Sequence, residues 1–523
     1  MCKPVLSIVL CVLLLASPAL ASDGFVTVKE GRFVDGAGRH LILNGINIGA
    51  KHKSTNYVSW HQPEDFARMR QWGFNCVRLL IIWAAIEPEC GTYDEAYLRR
   101  IDKRIAWAKA NGLYVLVDMH QDLWGEKVPG GDGAPAWATL DAGRQHVHRS
   151  DHWGDAYLTS PMIQTAFDSF WANKPGPDGI GIQDRFALAW RHVAKRYANE
   201  PAVIGYDLLN EPFPGSPILM TTARLARKLG EIVGPEGAPQ GVLGLTRLLA
   251  DRDGRRKMYD VLSDVEKFRA LMDAAGPSIV AFERTKLSAM YARVGKAIRE
   301  VDRRHVLFLE PSPLANIGIP TDVRAVKGPD GKPDPPQAFA PHAYDIVTET
   351  PGAGDPSTER MAFILGRLVA ASRKLNMPMV LGEWGAFQHR NAIPVTQLTI
   401  RMLEDALAGT TFWYFSKGTE RRDFFKMLRR PYPPAVAGTI VRYRLEPATG
   451  VLTCQWRDDP GARQPTRIYV PETWYPSGVE VTLEPAGKGH TFEPIDGNPK
   501  NGHVLIAPMA QPCGRRVVIR PKK

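Results

Sequence analysis

Cysteine is scarce in this 523-residue chain, with six residues in all, and two of those (Cys2 and Cys11) fall in the first eleven positions. No CxxC pair and no HExxH motif occurs, and the thirteen histidines do not fall at metal-ligand spacings. The sequence therefore indicates neither a metal site nor a cofactor. Past residue 21 no apolar run approaches the ~20 uninterrupted residues of a membrane-spanning helix, and no internal repeat or low-complexity tract is present. A concentrated basic block is missing too. The formal charge of +11 is spread along the chain, for example over residues 99–104 and 252–257. Dispersed charge of this kind reads as a solvated surface and argues against a nucleic-acid partner, while leaving weak attraction to an anionic lipid surface open.

What is present begins with an export signal. Lys3 precedes an apolar run over residues 5–15, and Ala19-Leu20-Ala21 precedes Ser22, the charged, greasy and small-residue parts of a signal peptide. Residues 1–21 are expected to be removed, giving a secreted or periplasmic protein. A lipid anchor on Cys11 is the weaker alternative, because Val9 and Leu10 before it are bulky. The remaining Cys76, Cys90, Cys454 and Cys513 include one pair, Cys454 and Cys513, that export would permit to bridge, although sequence does not decide it. Hydrophobic residues make up 44% and charged residues 23% of the chain, the balance of a globular protein with a sizeable core.

Short apolar runs alternate with helical patterns through the first four-fifths of the chain. Eight strands are expected, near residues 41–48, 74–82, 113–119, 203–209, 306–309, 338–341, 379–382 and 410–415. Helical periodicity lies between them, over 63–72, 95–111, 184–199, 281–302, 357–375 and 395–408. This α/β alternation predicts a (β/α)8 TIM barrel over residues 22–430. From 431 to 523 the texture changes to alternating β-type runs separated by proline and glycine, which predicts an antiparallel β-sandwich bracing the barrel.

Barrel enzymes place their chemistry at the C-terminal ends of the strands. Arg78 lies in the second predicted strand, His120 and Asp122 follow the third, and Asn210-Glu211-Pro212 follows the fourth. His342 and Tyr344 follow the sixth, Glu383-Trp384-Gly385 the seventh, and Trp413 lies in the eighth. One glutamate alone would read as a helix-capping surface carboxylate. Two of them, on strands from opposed sides of the barrel, suit acetal hydrolysis, in which one carboxyl protonates the leaving oxygen and another sits on the opposite face. Glu310-Pro311 after the fifth strand is a rival carboxylate, lacking an asparagine before it.

These motifs resemble glycoside hydrolase family 5. The resemblance implies Glu211 as acid/base and Glu383 as nucleophile, with Arg78, His120, Asn210, His342, Tyr344 and Trp413 in the remaining active-site positions. It narrows to the endoglycoceramidase-like branch through Leu43-Asn44-Gly45-Ile46-Asn47 with Lys51, Asp118-Met119-His120-Gln121-Asp122-Leu123, Gly131-Asp132-Gly133-Ala134-Pro135 and Arg430-Pro431-Tyr432-Pro433. Lys51 and Asp122 are implied to contact the sugar next to the lipid. The implied activity is retaining hydrolysis of the bond between a sugar or oligosaccharide and a lipid aglycone, as in glycosphingolipids.

Residues 215–277 depart from a plain barrel. Ile218, Leu219, Met220, Leu225, Leu229, Val233 and Val242 are spaced for amphipathic helices, which reads equally as a lid or acyl-chain groove and as helices packed on the barrel. A glucosylceramide or steryl β-glucosidase, or an endoglucanase acting on soluble β-glucan, therefore stays open. A non-catalytic sugar-binding barrel would lack one of the two glutamates, and a lipid-transfer protein would not need the polar ring. The sequence does not give the oligomeric state.

Overall fold

The computed structural model describes residues 24–148, 150, 152–234, 239–348, 350, 356–386, 392–487 and 489–522. The expected signal segment, with Cys11, lies outside the described residues. Eight parallel strands form the central sheet: β1 (Asn44–Ile48), β2 (Cys76–Ile82), β3 (Tyr114–His120), β4 (Val203–Asp207), β5 (Val306–Leu309), β6 (Gln337–Phe339), β7 (Val380–Leu381) and β8 (Gly409–Phe412). Their hydrogen-bonded order is β7-β8-β1-β2-β3-β4-β5-β6. A parallel bridge from Phe339 to Met379 closes the ring, and His342–Ala343 pairs with Glu383–Trp384 above it. All eight expected strands are present.

The strands read as continuous apolar runs because both faces are covered, by barrel core on one side and helices on the other. Every residue of β2 is buried, Arg78 included. The helix Glu95–Ala110 buries Tyr97, Leu98, Ile101, Ile105 and Ala108, the stripe that helical spacing creates. It starts where Asp94 accepts from the amides of Ala96 and Tyr97, satisfying two donors that the first turn leaves over. The expected helix at 281–302 is the end of a longer unit: Val265–Phe282 and Ser288–Arg299 are joined by a π-helical turn, Glu283–Leu287.

Residues 215–277 form the helices Ile218–Val233, Gly241–Ala250 and Arg252–Val261 and most of Val265–Phe282. Ile218, Ala226, Leu229 and Leu245 are buried, while Leu219, Met220 and Leu243 are exposed, the last at 70%.

The C-terminal strands build two antiparallel sheets. One runs Gly438–Glu446, Val451–Asp458, Gly514–Pro521, Val479–Glu484. The other takes Tyr432–Val436, Thr466–Val470, Asn498–Ile506 and Thr491–Ile495, and adds the N-terminal strands Thr27–Lys29, Arg32–Val34 and His40–Leu41. The first expected strand is therefore split: His40–Leu41 belongs to the sandwich and Asn44–Ile48 to the barrel. The four described cysteines are all free thiols, so Cys454 and Cys513 do not bridge. Cys454 is buried in its strand opposite Val517.

The two units are fastened at the Arg430-Pro431-Tyr432 junction. Buried Arg430 pairs with Glu404 at 3.1 Å and donates to Asn44 Oδ1 at 3.1 Å. The Tyr432 hydroxyl donates to the Gly73 carbonyl at 2.9 Å. Gly73 has φ +81°, and a Cβ there would fall 2.1 Å from the Tyr469 ring, so only glycine lets the sandwich approach this closely. Among the described residues no helix is long and apolar enough to cross a membrane.

Candidate active site

The strand ends bring the expected residues to one mouth. Lys51, His120, Asp122, Asn210, Glu211, Tyr344, Glu383 and Trp413 all line a cavity of about 340 Å³. Arg78 and His342, both fully out of solvent, lie beneath its floor.

Arg78 is the hub of the site. Its Nη1 donates to Glu383 Oε1 at 2.7 Å, its Nη2 to Asn210 Oδ1 at 2.9 Å and Glu310 Oε1 at 2.8 Å, and its Nε to Asp207 at 3.0 Å. Asp118 is 3.0 Å away. One guanidinium thus faces four carboxylates, and its rigid fork is what allows several to be met at once. Burial together with the neighbouring Glu310 carboxylate holds Asp207 well above the usual carboxylate range, which relieves the excess negative charge.

Glu383 is held at both oxygens, by Arg78 on Oε1 and by the Tyr344 hydroxyl on Oε2 at 2.9 Å. Two such donors hold the carboxylate in one orientation. Glu211 is treated differently. Burial pushes its carboxyl above the ordinary range, partly offset by His342, whose Nδ1 lies 2.9 Å from Oε1. Burial would lower His342, but the carboxylates of Glu310, Glu383 and Glu211 around it prevail and hold it well above the usual histidine value. An oxygen of Glu211 lies within 4.8 Å of an oxygen of Glu383. That spacing fits the ~5–5.5 Å of a pair acting through a covalent intermediate, and leaves no room for the water of an inverting pair.

Glu211 also sits at φ +46°, in left-handed backbone space that a glutamate seldom adopts. Its neighbours hold it there. Glu310 Oε2 accepts the Glu211 N–H at 2.8 Å, and Gln121 Nε2 donates to the carbonyls of Asn210 (2.9 Å) and Glu211 (3.1 Å). Glu310 is therefore a support buried behind the site and not a third reacting carboxyl; only its distance in space from Glu211 and Arg78 reveals this.

The opposite wall is polar and aromatic. Trp413, joined to Tyr414 by a cis peptide, stacks on His120 with centroids 5.5 Å apart and planes 8° from parallel. Lys51 Nζ lies 4.4 Å over the Trp413 ring and is ion-paired with Asp122. Asp118 bonds His120 Nδ1 at 2.8 Å; burial and Lys51 would lower His120, but the Asp118 charge together with the hydrogen bonds to Asp118 and Asp122 prevails and pushes it up to about 10. Burial and then Asp122 push the buried Asp132 up to about 7. His120, Asp122 and Asp132 have donor types a metal would take, but here the Lys51 ammonium already supplies the positive charge on Asp122.

Residues that carried no recognisable motif complete the cavity: Trp153 and Tyr157 from the segment before the helix Pro161–Trp171, Phe213, and Leu314, Asn316 and Ile317 from the loop after β5. Asn316 Nδ2 donates to Glu211 Oε1 at 2.7 Å.

Comparison with known proteins agrees with this geometry. The family model "Cellulase (glycosyl hydrolase family 5)" matches residues 34–418, and the "Glycoside hydrolase family 5 C-terminal domain" matches residues 430–510. Endoglycoceramidase I of Rhodococcus hoagii (strain 103S) is 26% identical over 465 residues, covering 86% of this chain and 80% of its own. Endo-glycoceramidase II from Rhodococcus sp., solved with ganglioside GM3, superposes with a TM-score of 0.72 at 26% identity, covering 95% of this chain and 100% of that one. Its lactosyl-enzyme intermediate gives a TM-score of 0.69 at 26% identity over 93% and 98% of the two chains. With a family model spanning well over half its length and two glutamates at the spacing of a double displacement, this chain belongs to glycoside hydrolase family 5 and is a retaining glycosidase.

Proposed function

We propose that the protein cleaves the β-glycosidic bond between the sugar portion of a glycosphingolipid and its lipid, releasing that portion intact. The observation that carries this reading is an apolar groove of about 480 Å³ beside the catalytic cavity. Val147, Leu158, Leu219, Val242, Leu243 and Leu249 line it, four of them from the 215–277 insertion. Leu158 and Asp155 border both spaces, so the groove lies against the catalytic cavity. Glu211, the carboxyl that protonates the leaving group, lines the cavity on which this groove borders. A lipid aglycone fits a wall that is apolar there, and a sugar fits the polar, aromatic wall of Lys51, Asp122 and Trp413. The endoglycoceramidases to which the chain is similar support the same assignment.

The chemistry follows from the two carboxyls. Glu383 attacks the anomeric carbon while Glu211 gives its proton to the lipid-side oxygen, and the C–O bond to the lipid breaks. Glu211, now ionised, takes a proton from water, which displaces Glu383 and restores the β configuration. Asn210, fixed by Arg78, is positioned to bond the sugar hydroxyl next to the reacting carbon. Export through residues 1–21 and adsorption to anionic bilayers through the +11 charge belong to the same reading.

The test is product identification after incubation with glucosylceramide, lactosylceramide, a ganglioside, a steryl glucoside and a soluble β-glucan. Intact oligosaccharide plus ceramide supports the proposal. Glucose as the sole product makes the enzyme a glucosidase, and turnover of the glucan alone refutes a lipid aglycone.

A further inference from the structure

Asn316 is placed between the two catalytic glutamates in a way that their mechanism does not require and the fold goes to some length to maintain. It stands in the 3-10 turn Pro313–Ile317 after β5 and is 4% exposed. Its side chain donates to Glu211 Oε1 at 2.7 Å, while its carbonyl accepts the N–H of Tyr344 at 3.0 Å. Tyr344 is the residue whose hydroxyl holds Glu383.

The loop carrying Asn316 is itself clamped. Buried Glu283, in the π-helical turn, accepts from the Ser312 N–H (2.9 Å), the Thr321 hydroxyl (2.7 Å) and the Asp322 N–H (2.6 Å), tying both ends of the loop to one carboxyl. A π-turn rotates one residue out of helical register, and here it brings Glu283 under the loop.

Both side-chain donors to Glu211, Asn316 Nδ2 and His342 Nδ1, converge on Oε1. Among the described residues Oε2 takes no such bond. We propose that Asn316 is a positioning residue for the acid/base: it fixes the Glu211 carboxyl through Oε1 and so reserves Oε2 for the proton passed to the leaving oxygen. This rests on the acid/base role of Glu211 and not on the identity of the aglycone. A donor to Oε1 also favours the ionised form that must act as base in the second step. Burial works against that form, as do the charges of Glu383 and Asp122, and His342 works with Asn316. Glu310 meets Glu211 at its backbone N–H.

The test needs no substrate for its first arm. Glutamate labelled with ¹³C at the carboxyl carbon, with Glu211 identified by its loss in Glu211→Gln, gives the Glu211 titration by NMR in the intact protein. Asn316→Ala is expected to raise its midpoint by about one pH unit, the worth of a hydrogen bond to a charged group. Asn316→Asp, which keeps the shape and replaces a donor by a carboxyl, is expected to raise it further. The second arm is the alkaline limb of kcat/KM on lactosylceramide in detergent, which should move up by the same amount in each variant. An unmoved Glu211 titration in folded Asn316→Asp would overturn the assignment, as would an unmoved alkaline limb beside a shifted titration.

Discussion

Arg78 and Glu383 form the shortest bond that Arg78 makes, 2.7 Å from Nη1 to Oε1, with the guanidinium wholly out of water. The same guanidinium faces Asp118, Asp207 and Glu310. Removing it leaves buried negative charge unpaired, which costs about 3–5 kcal/mol in comparable sites. Arg78→Ala should therefore lose both stability of that order in chemical denaturation and measurable kcat. Arg78→Lys keeps one charge without the fork, and should recover more stability than activity.

Glu383→Gln should abolish turnover while leaving the thermal unfolding midpoint within a few degrees, because the amide is nearly isosteric. In the unaltered enzyme the freshly released sugar should be the β anomer, seen by proton NMR before mutarotation. An α anomer appearing first would contradict the double displacement read from carboxyl oxygens that lie within 4.8 Å of each other.

Glu211 supplies a pH dependence whose sign can be worked out. Burial raises its folded-state pKa, so the folded form binds this proton more tightly than the unfolded chain, whose carboxyl titrates near ~4.3. Ionising it then costs folding stability that is absent below ~4.3 and grows as pH rises towards the folded value. Glu211→Gln should accordingly be more stable than the parent at neutral pH and equal to it in acid, measured by denaturant titration at both pH values. For activity, kcat/KM should fall as pH rises through the raised value, since the acid must be protonated.

Leu243 is 70% exposed on the helix Gly241–Ala250 and lines the apolar groove. Leu243→Asp should leave unfolding unchanged, because nothing packs on an exposed side chain, yet raise KM for detergent-solubilised lactosylceramide about ten-fold, the worth of an apolar contact of ~1.4 kcal/mol. Cleavage of a soluble lactoside should be unaffected. Equal effects on both substrates would place the lipid elsewhere.

Much of this was legible along the chain, and some was not, for a definite reason. Short apolar runs set between helical patterns located all eight barrel strands within a few residues, since a strand buried on both faces has to be apolar throughout. The order of Arg78, His120, Asn210, Glu211, His342, Tyr344, Glu383 and Trp413 was readable because each lies in such a strand or just past its end. The edge strand Thr491–Ile495, mostly solvent-facing, and the strand Asn498–Ile506, which opens with the turn-type residues Asn498 and Pro499 and carries Gly502, were not. The strand His40–Leu41 gave no sign that it pairs with Ala435 and Val436, some four hundred residues on. Export alone made a Cys454–Cys513 bridge conceivable, whereas strand pairing buries Cys454 opposite Val517. The roles of Glu310, Asn316 and Glu283 likewise depend on distances of less than 3 Å between β5, its loop and a π-turn. Local sequence determines which segments become strands and which residues ride on their ends. Which neighbour holds each carboxyl, and therefore which glutamate keeps its proton, is decided only when the closed barrel brings separate strand ends together out of water.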